Sequence, residues 1–365
     1  MVLVRLACWL LGVCLLPGLF AQTGPAHETR AEGLLVQATE LALHNRLAEA
    51  EPLLESAAEL APRDPRVLTE LGKVQARLGE TAAAIAVFRR ALAEEPESPE
   101  AHLNLALALA DGNQAKEALQ EVDTVIRLDP GNGAAFYNRG RLLADQQKNE
   151  DAAIAFARAT RLSPKQAEAW YDWALIETGK GNEAEASRLL QKVVALQPRN
   201  GQALCLLGKS FQQQGRQAEA KAAWERALAI DPNDRESVYA LALALRQTNP
   251  EESKRLLAHF ADLQRQKEKN DQLGAQVSTL GNHAYVAMQA QDWPTATSLL
   301  GQAIAVCGQC NLLGDLHKNL GLVDCHVGDM AAAKRELDQA LLLKPNDRDI
   351  VRALEWVSRQ NGAHE

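Results

Sequence analysis

The chain has 365 residues, of which 47% are hydrophobic, 24% charged and only 4% aromatic, with a formal net charge of −8. That apolar content argues against a disordered chain, and the alanine-rich, aromatic-poor composition favours packed helices over an all-β fold. The acidic balance argues against a nucleic-acid role, because phosphate binding needs a basic face.

Residues 1–21 stand apart. Arg5 is followed by an apolar run from Leu6 to Leu16, then Pro17 and Gly18, then Leu19, Phe20, Ala21 and Gln22. This reads as a secretory signal peptide cleaved after Ala21. The rival reading is an uncleaved membrane anchor, although the apolar run is shorter than the roughly 20 residues a spanning helix needs. Cys8 and Cys14 lie inside the run rather than just after it, which disfavours a lipid anchor. The expectation is an exported protein, periplasmic or secreted, with no membrane span once the signal is removed. Residues 22–30 then read as a short polar leader.

From residue 31 the chain repeats. Pro62, Pro96, Pro130, Pro164, Pro198 and Pro232 are each 34 residues apart, which divides residues 31–234 into six blocks in one register. The eighth residue of these blocks is Ala38, Gly72, Ala106, Gly140, Ala174 or Gly208, and the twentieth is always alanine. Larger apolar residues recur at Leu54, Phe88, Val122, Phe156, Leu190 and Trp224. Two antiparallel helices approach to about 8–10 Å only where the side chains at the crossing are short, and the larger residues fill the holes between pairs. The proline stops the second helix, because it has no N–H to donate and restricts the residue before it. A period of this length marks a stacked helix–turn–helix array.

The pattern resembles the tetratricopeptide repeat (TPR) family. Leu204, Leu207, Gly208, Phe211, Gly215, Ala220, Trp224, Ala227 and Pro232 occupy its signature places, as do Leu68, Leu71, Gly72, Gly79, Ala84, Phe88, Ala91 and Pro96. The resemblance implies an all-α fold, a right-handed α-solenoid of about nine helix–turn–helix repeats with a C-terminal capping helix. It covers nearly all of the chain after residue 30 and is specific for fold rather than function.

The seven-repeat array of 31–263 runs in register to Asp234; its seventh repeat loses about one residue at the turn Thr248, Asn249 and Pro250, where Pro250 opens the second helix. That helix has no closing proline and runs on into the charged stretch Arg265–Asp271, so residues 264–276 are read as an irregular junction, a candidate hinge or bend. Two further repeats occupy 277–347, with Gly308 in place of a proline in the first and Pro345 closing the second. Residues 348–365 hold a final helix, with Ile350, Leu354 and Val357 on one side, and a tail. Such a helix caps the last apolar face with a polar surface.

No glycine-rich phosphate loop, nucleophile elbow or paired-histidine metal motif occurs, so the chain is read as no enzyme, with no cofactor or metal. Candidate binding residues lie on the concave face, to which the second, fifth, sixth, ninth, twelfth and thirteenth residues of each block are assigned. This picks out Lys73, Asn104, Tyr137, Asn138, Arg141, Tyr171, Asp172, Tyr239 and Tyr285. Side-chain amides can donate to and accept from a peptide backbone at once, and tyrosine offers flat apolar area with a polar tip. The tyrosines are expected to face solvent as one strip, and Cys205 to be a lone thiol in the groove. A Tyr–Asn pair at this place is also consistent with the family's own consensus. The resemblance implies peptide binding in that groove. Some relatives carry a basic clamp for a partner's terminal carboxylate, but Thr69 and Ala134 stand where two of its basic residues would be.

Cys307 and Cys310 frame a Cys-Gly-Gln-Cys loop. A structural disulfide suits an oxidising compartment. A redox motif would need an electropositive pocket, and a metal site with His317 would lack a fourth ligand. The expected function is a non-catalytic interaction scaffold that binds a protein or peptide partner along the groove. The alternative is a redox- or metal-linked accessory protein centred on the two cysteines.

Overall fold

The computed structural model describes residues 25–362, and every regular element among them is helical. The signal-peptide reading of residues 1–21 lies outside the described residues. Seven repeats begin with α1 (Pro25–Leu43) and α2 (Leu47–Leu60), α3 (Pro65–Arg77) and α4 (Thr81–Glu94), and α5 (Pro99–Asp111) and α6 (Ala115–Leu128). They continue with α7 (Gly133–Asp145) and α8 (Asn149–Leu162), α9 (Ala167–Gly179) and α10 (Glu183–Leu196), and α11 (Gly201–Gln213) and α12 (Gln217–Ile230). The seventh pairs α13 (Arg235–Leu245) with the first half of α14 (Pro250–Gln289). The second half of α14 opens the eighth repeat, closed by α15 (Trp293–Cys307). The ninth is α16 (Leu313–Val327) and α17 (Met330–Leu343), and α18 (Arg348–Gly362) is the cap.

The proline ladder acts at the end of each second helix. The residue before each ladder proline (Ala61, Glu95, Asp129, Ser163, Gln197 or Asp231) is the C-cap, with φ near −130° and ψ between 70° and 99°. This is the extended backbone that a following proline imposes. Two residues after the proline, Asp64, Ser98, Asn132, Asn200 and Asp234 each accept a hydrogen bond from the first turn of the next helix. Between the helices of a pair, Gly79, Gly181 and Gly215 take positive φ, as do Asn45, Asn113 and, in the fourth repeat, Gln147. That turn therefore favours glycine or asparagine.

The crossing within each pair is sized by two residues. A Cβ added at Gly72 would sit 2.5 Å from Phe88 Cε1, and one at Gly140 would sit 2.6 Å from Phe156. One at Gly208 would collide with Trp224. Repeats with alanine at this place carry Leu54, Val122 or Leu190 opposite it, so a larger partner goes with a missing Cβ. All six of these partners are buried.

First helices of successive repeats approach one another (α1 with α3, α3 with α5, α5 with α7, α7 with α9, α11 with α13), and no neighbouring second helices do so to the same degree. The first-helix side is therefore the inner, concave side.

Two boundaries and one side chain differ from the sequence reading. The polar leader is helical from Pro25 onward, so its last residues form the first turns of α1. Residues 264–276 form no loop or break but the interior of α14, and residues 265–276 are exposed on every side. A helix polar all round is a bridge between packed bodies. Cys205 is buried rather than lining the groove, and burial pushes its thiol up to about 11. The cap is as expected, with Ile350 and Val357 fully buried.

Candidate functional site

The inner face is built from residues that each first helix leaves uncovered. Over the first three repeats, Thr39, Lys73, Asn104, Leu107, Arg77 and Asp111 line one cavity of about 420 Å³. Lys73 Nζ lies 2.9 Å from Glu70 and 2.6 Å from Glu100 of the next repeat. Burial works against the charge of Lys73, but its hydrogen bonds to Glu100 and Glu70 outweigh that and raise its pKa. Asn104 Nδ2 is buried without a hydrogen-bond partner in the same cavity, so it has a donor to offer.

The next two repeats bring together Tyr137, Arg141 and Asp172. The Tyr137 hydroxyl donates to Asp172 Oδ2 at 3.0 Å. The Arg141 guanidinium lies 5.9 Å from the centre of the Tyr137 ring. Burial first, and the Asp172 charge second, push the Tyr137 phenol up to about 12. Burial also raises Asp172, against the pull of Tyr137 and Arg141. Tyr171 is raised by burial in turn.

Two of the four tyrosines do not stand free in solvent. Tyr137 and Tyr171 are half-buried, and Tyr137 also meets Phe156 at 6.0 Å between ring centres. Tyr239 packs on Phe260 of α14 at 4.9 Å, and Asn138 Nδ2 donates to its own helix at the Ala134 carbonyl. Tyr285 is 59% exposed and lies beyond the bare stretch of α14, away from the other candidates.

The sequence reading placed the ninth residues in the groove and picked Lys73 and Arg141, but missed the leucines between them. From the second repeat to the seventh the ninth residues are Lys73, Leu107, Arg141, Leu175, Lys209 and Leu243, alternating basic and leucine. The leucines are left 38%, 41% and 41% exposed. The eighth residues alternate in step, glycine before each basic residue and alanine before each leucine, so the array has a two-repeat unit of 68 residues. This signal was open to anyone comparing alternate rather than adjacent blocks.

Cys307 and Cys310 are joined in a disulfide that ties the end of α15 to the loop before α16. His317 Nδ1 faces Glu336 Oε2 at 2.6 Å. With the sulfurs bonded to each other and the imidazole engaged, this cluster is not set as a metal centre. No group of three metal-ligating side chains is present among the described residues. No helix among them is long and apolar enough to cross a membrane.

A family model of the tetratricopeptide repeat matches residues 35–99 and again 69–133. A second, described as the TPR domain of cytochrome c-type biogenesis protein H, matches residues 124–237. The chain belongs to the tetratricopeptide repeat family. Among solved TPR-type structures, Pseudomonas aeruginosa pilF is 17% identical, covers 58% of this chain and 96% of its own, with a TM-score of 0.52. A tetratricopeptide repeat protein from Parabacteroides merdae is also 17% identical, with 81% of this chain and 99% of that one covered and a TM-score of 0.48. YrrB, described as a TPR protein with an unusual peptide-binding site, is 20% identical, over 51% of this chain and 96% of its own, at a TM-score of 0.44. At such identities the likeness is one of fold. No curated protein matches the chain. TPR arrays are protein-interaction scaffolds and are generally non-catalytic.

Proposed function

We propose that this TPR protein is an exported, non-catalytic scaffold that holds an extended segment of a protein partner along its inner face. The ladder of ninth residues carries the reading. Leu107, Leu175 and Leu243 are large apolar side chains left uncovered at the same place in alternate repeats. Each lies one turn beyond another apolar or aromatic groove residue (Leu103, Tyr171 and Tyr239), and side chains so spaced are neighbours on a helix face. Neighbouring helices are about 8–10 Å apart, so alternate rungs are roughly 20 Å apart, or about six residues of extended chain. A fitting partner presents large apolar side chains at that spacing and polar groups toward Arg141 and Lys209 between them.

Export is supported by the apolar run of residues 6–16 and by the Cys307–Cys310 disulfide, a bond that persists in oxidising compartments. Mass spectrometry of the protein from its native envelope tests this arm, and an N-terminus at Gln22 is expected. For the groove, Leu175→Ala and Leu243→Ala should each weaken capture of the native partner by about 1–2 kcal/mol, as loss of an apolar anchor does. Thermal stability should hold, because both side chains are exposed. Arg158→Ala, off the inner face, should leave binding unchanged. Capture of the same partner at parental affinity by both leucine variants would sink the groove reading.

A further inference from the structure

The two ends of the array touch. Arg348, the first residue of the capping helix, lies with Nε 3.2 Å from Glu51 Oε2 in the first repeat. Its Nη1 pairs with Glu80 in the second. Two residues earlier, Asn346 Oδ1 accepts a hydrogen bond at 2.8 Å from the backbone N–H of Leu47, the first residue of α2. Helix starts carry N–H groups with no partner of their own. The N-cap of α2, Arg46, supplies no side-chain bond, so a residue from the far end of the chain does.

The receiving site is built for a charge. Glu51 is the twenty-first residue of its block, where the other in-register repeats have Ile85, Leu119, Ala153, Ser187 and Lys221. It is nevertheless fully buried. Beside it is Gln75 Nε2, 3.5 Å from Glu51 Oε1, at an eleventh place that elsewhere is Leu41, Leu109, Leu143, Phe211 or Leu245. The other polar residue of that column, Glu177, is satisfied within its own repeat by Asn182 and Lys180. Glu51 has no such local partner, and its Oε2 makes no hydrogen bond. A buried carboxyl and a polar residue in an otherwise mostly apolar column thus meet where a guanidinium from the other end arrives.

We propose that Arg348 and Asn346 form a reversible clasp that closes the array end to end and fixes the curvature of its inner face. The seam argues for a clasp rather than a permanent joint. Beside the polar contacts is an unfilled cleft of about 1030 Å³, with Arg46 and Glu49 on one wall and Leu341, Leu342 and Leu354 on the other. Each end has its own core: the first repeat packs with the second, and α18 packs on α17. Separation would part Arg348 from Glu51 and Glu80, and Asn346 from the Leu47 N–H, polar contacts that water can replace. The bare stretch of α14, at residues 265–276, bridges the two bodies that would part.

Small-angle scattering on the full chain tests the clasp, with circular dichroism to confirm helicity. Arg348→Glu should increase the radius of gyration and the maximum dimension while helix content is kept. Adding Glu80→Arg to it should restore the parental curve by reversing the pair. If Arg348→Glu loses helicity, the milder pair Asn346→Ala with Arg348→Gln decides instead, with the same expansion expected. A folded variant whose scattering superimposes on the parent's would overturn the proposal, as would a parent that already scatters as an open array.

Discussion

Arg348 stands beside Glu51, so a helix at the end of the chain supplies the counter-charge for a carboxylate buried in the first repeat. Burial first, and the neighbouring Glu80 charge second, push Glu51 up to about 7 in spite of Arg348. Folding therefore favours the protonated form. A carboxyl raised in this way contributes stability that is complete below its ordinary value and is lost as pH rises through the raised one.

The pH dependence follows. Between pH 5 and 8 stability should fall by on the order of 1–3 kcal/mol from Glu51. Asp324, pushed up to about 6 chiefly by burial and then by Glu336, adds a loss of the same sign at lower pH. Glu51→Gln should remove the Glu51 part of the slope, which runs from its ordinary value of 4.5 to about 7, and leave that of Asp324, which ends near about 6. Urea melts of both proteins across this range check it. Parallel curves would show that Glu51 ionises normally.

The crossing of each helix pair gives a second prediction. Gly72→Ala should cost about 1–3 kcal/mol, because the new methyl overpacks against Phe88. Adding Phe88→Leu should recover most of that loss, since alanine opposite leucine is already the arrangement at Ala38 with Leu54 and at Ala174 with Leu190. Thermal melts of the single and double variants decide. A double variant less stable than either single would mean that the two residues do not size one crossing.

Removing residues 348–365 should do more than break the clasp. It uncovers Leu337 and Ala340 on the last repeat, which are buried beside Ile350 and Val357. An exposed apolar face of this kind drives association. Light scattering should show self-association of the truncated chain but not of Arg348→Ala, which leaves the cap in place. A monomeric truncation at high concentration would contradict the capping role.

The repeat and its cap were legible in the sequence because they are local. Pro62 and its successors act on the residue before them, and Gly72 acts on Phe88 within one block. What was not legible depends on neighbours outside the block. Tyr137 is half-buried because Asp172 of the next repeat takes its hydroxyl. Cys205 is covered although it occupies a groove place. The clasp needed the curvature of the whole array, although Gln75, polar in a mostly apolar column, was a visible clue. Leu107, Leu175 and Leu243 went unseen because adjacent blocks were compared, while the pattern has a two-block period.

Tyr137 yields a further test. Its hydroxyl holds Asp172, so Tyr137→Ala should lower stability as well as binding, and Tyr137→Phe is the cleaner probe. That variant should cost about 1 kcal/mol of stability, the usual worth of one hydrogen bond. Spectrophotometric titration should show it lacking the phenol of the parent that ionises at the highest pH, the one pushed up to about 12. An unchanged titration curve would place the elevated phenol elsewhere.

The most direct measurement is a photo-crosslinking map of the native partner. A photoreactive residue is placed in turn at Leu107, Leu175 and Leu243 on the inner face, and at Arg158 and Glu225 off it. The account predicts crosslinks from all three leucine positions into one continuous partner segment, at sites about six residues apart, and none from Arg158 or Glu225. Crosslinks confined to Arg158 or Glu225, with the leucine positions silent, would contradict it.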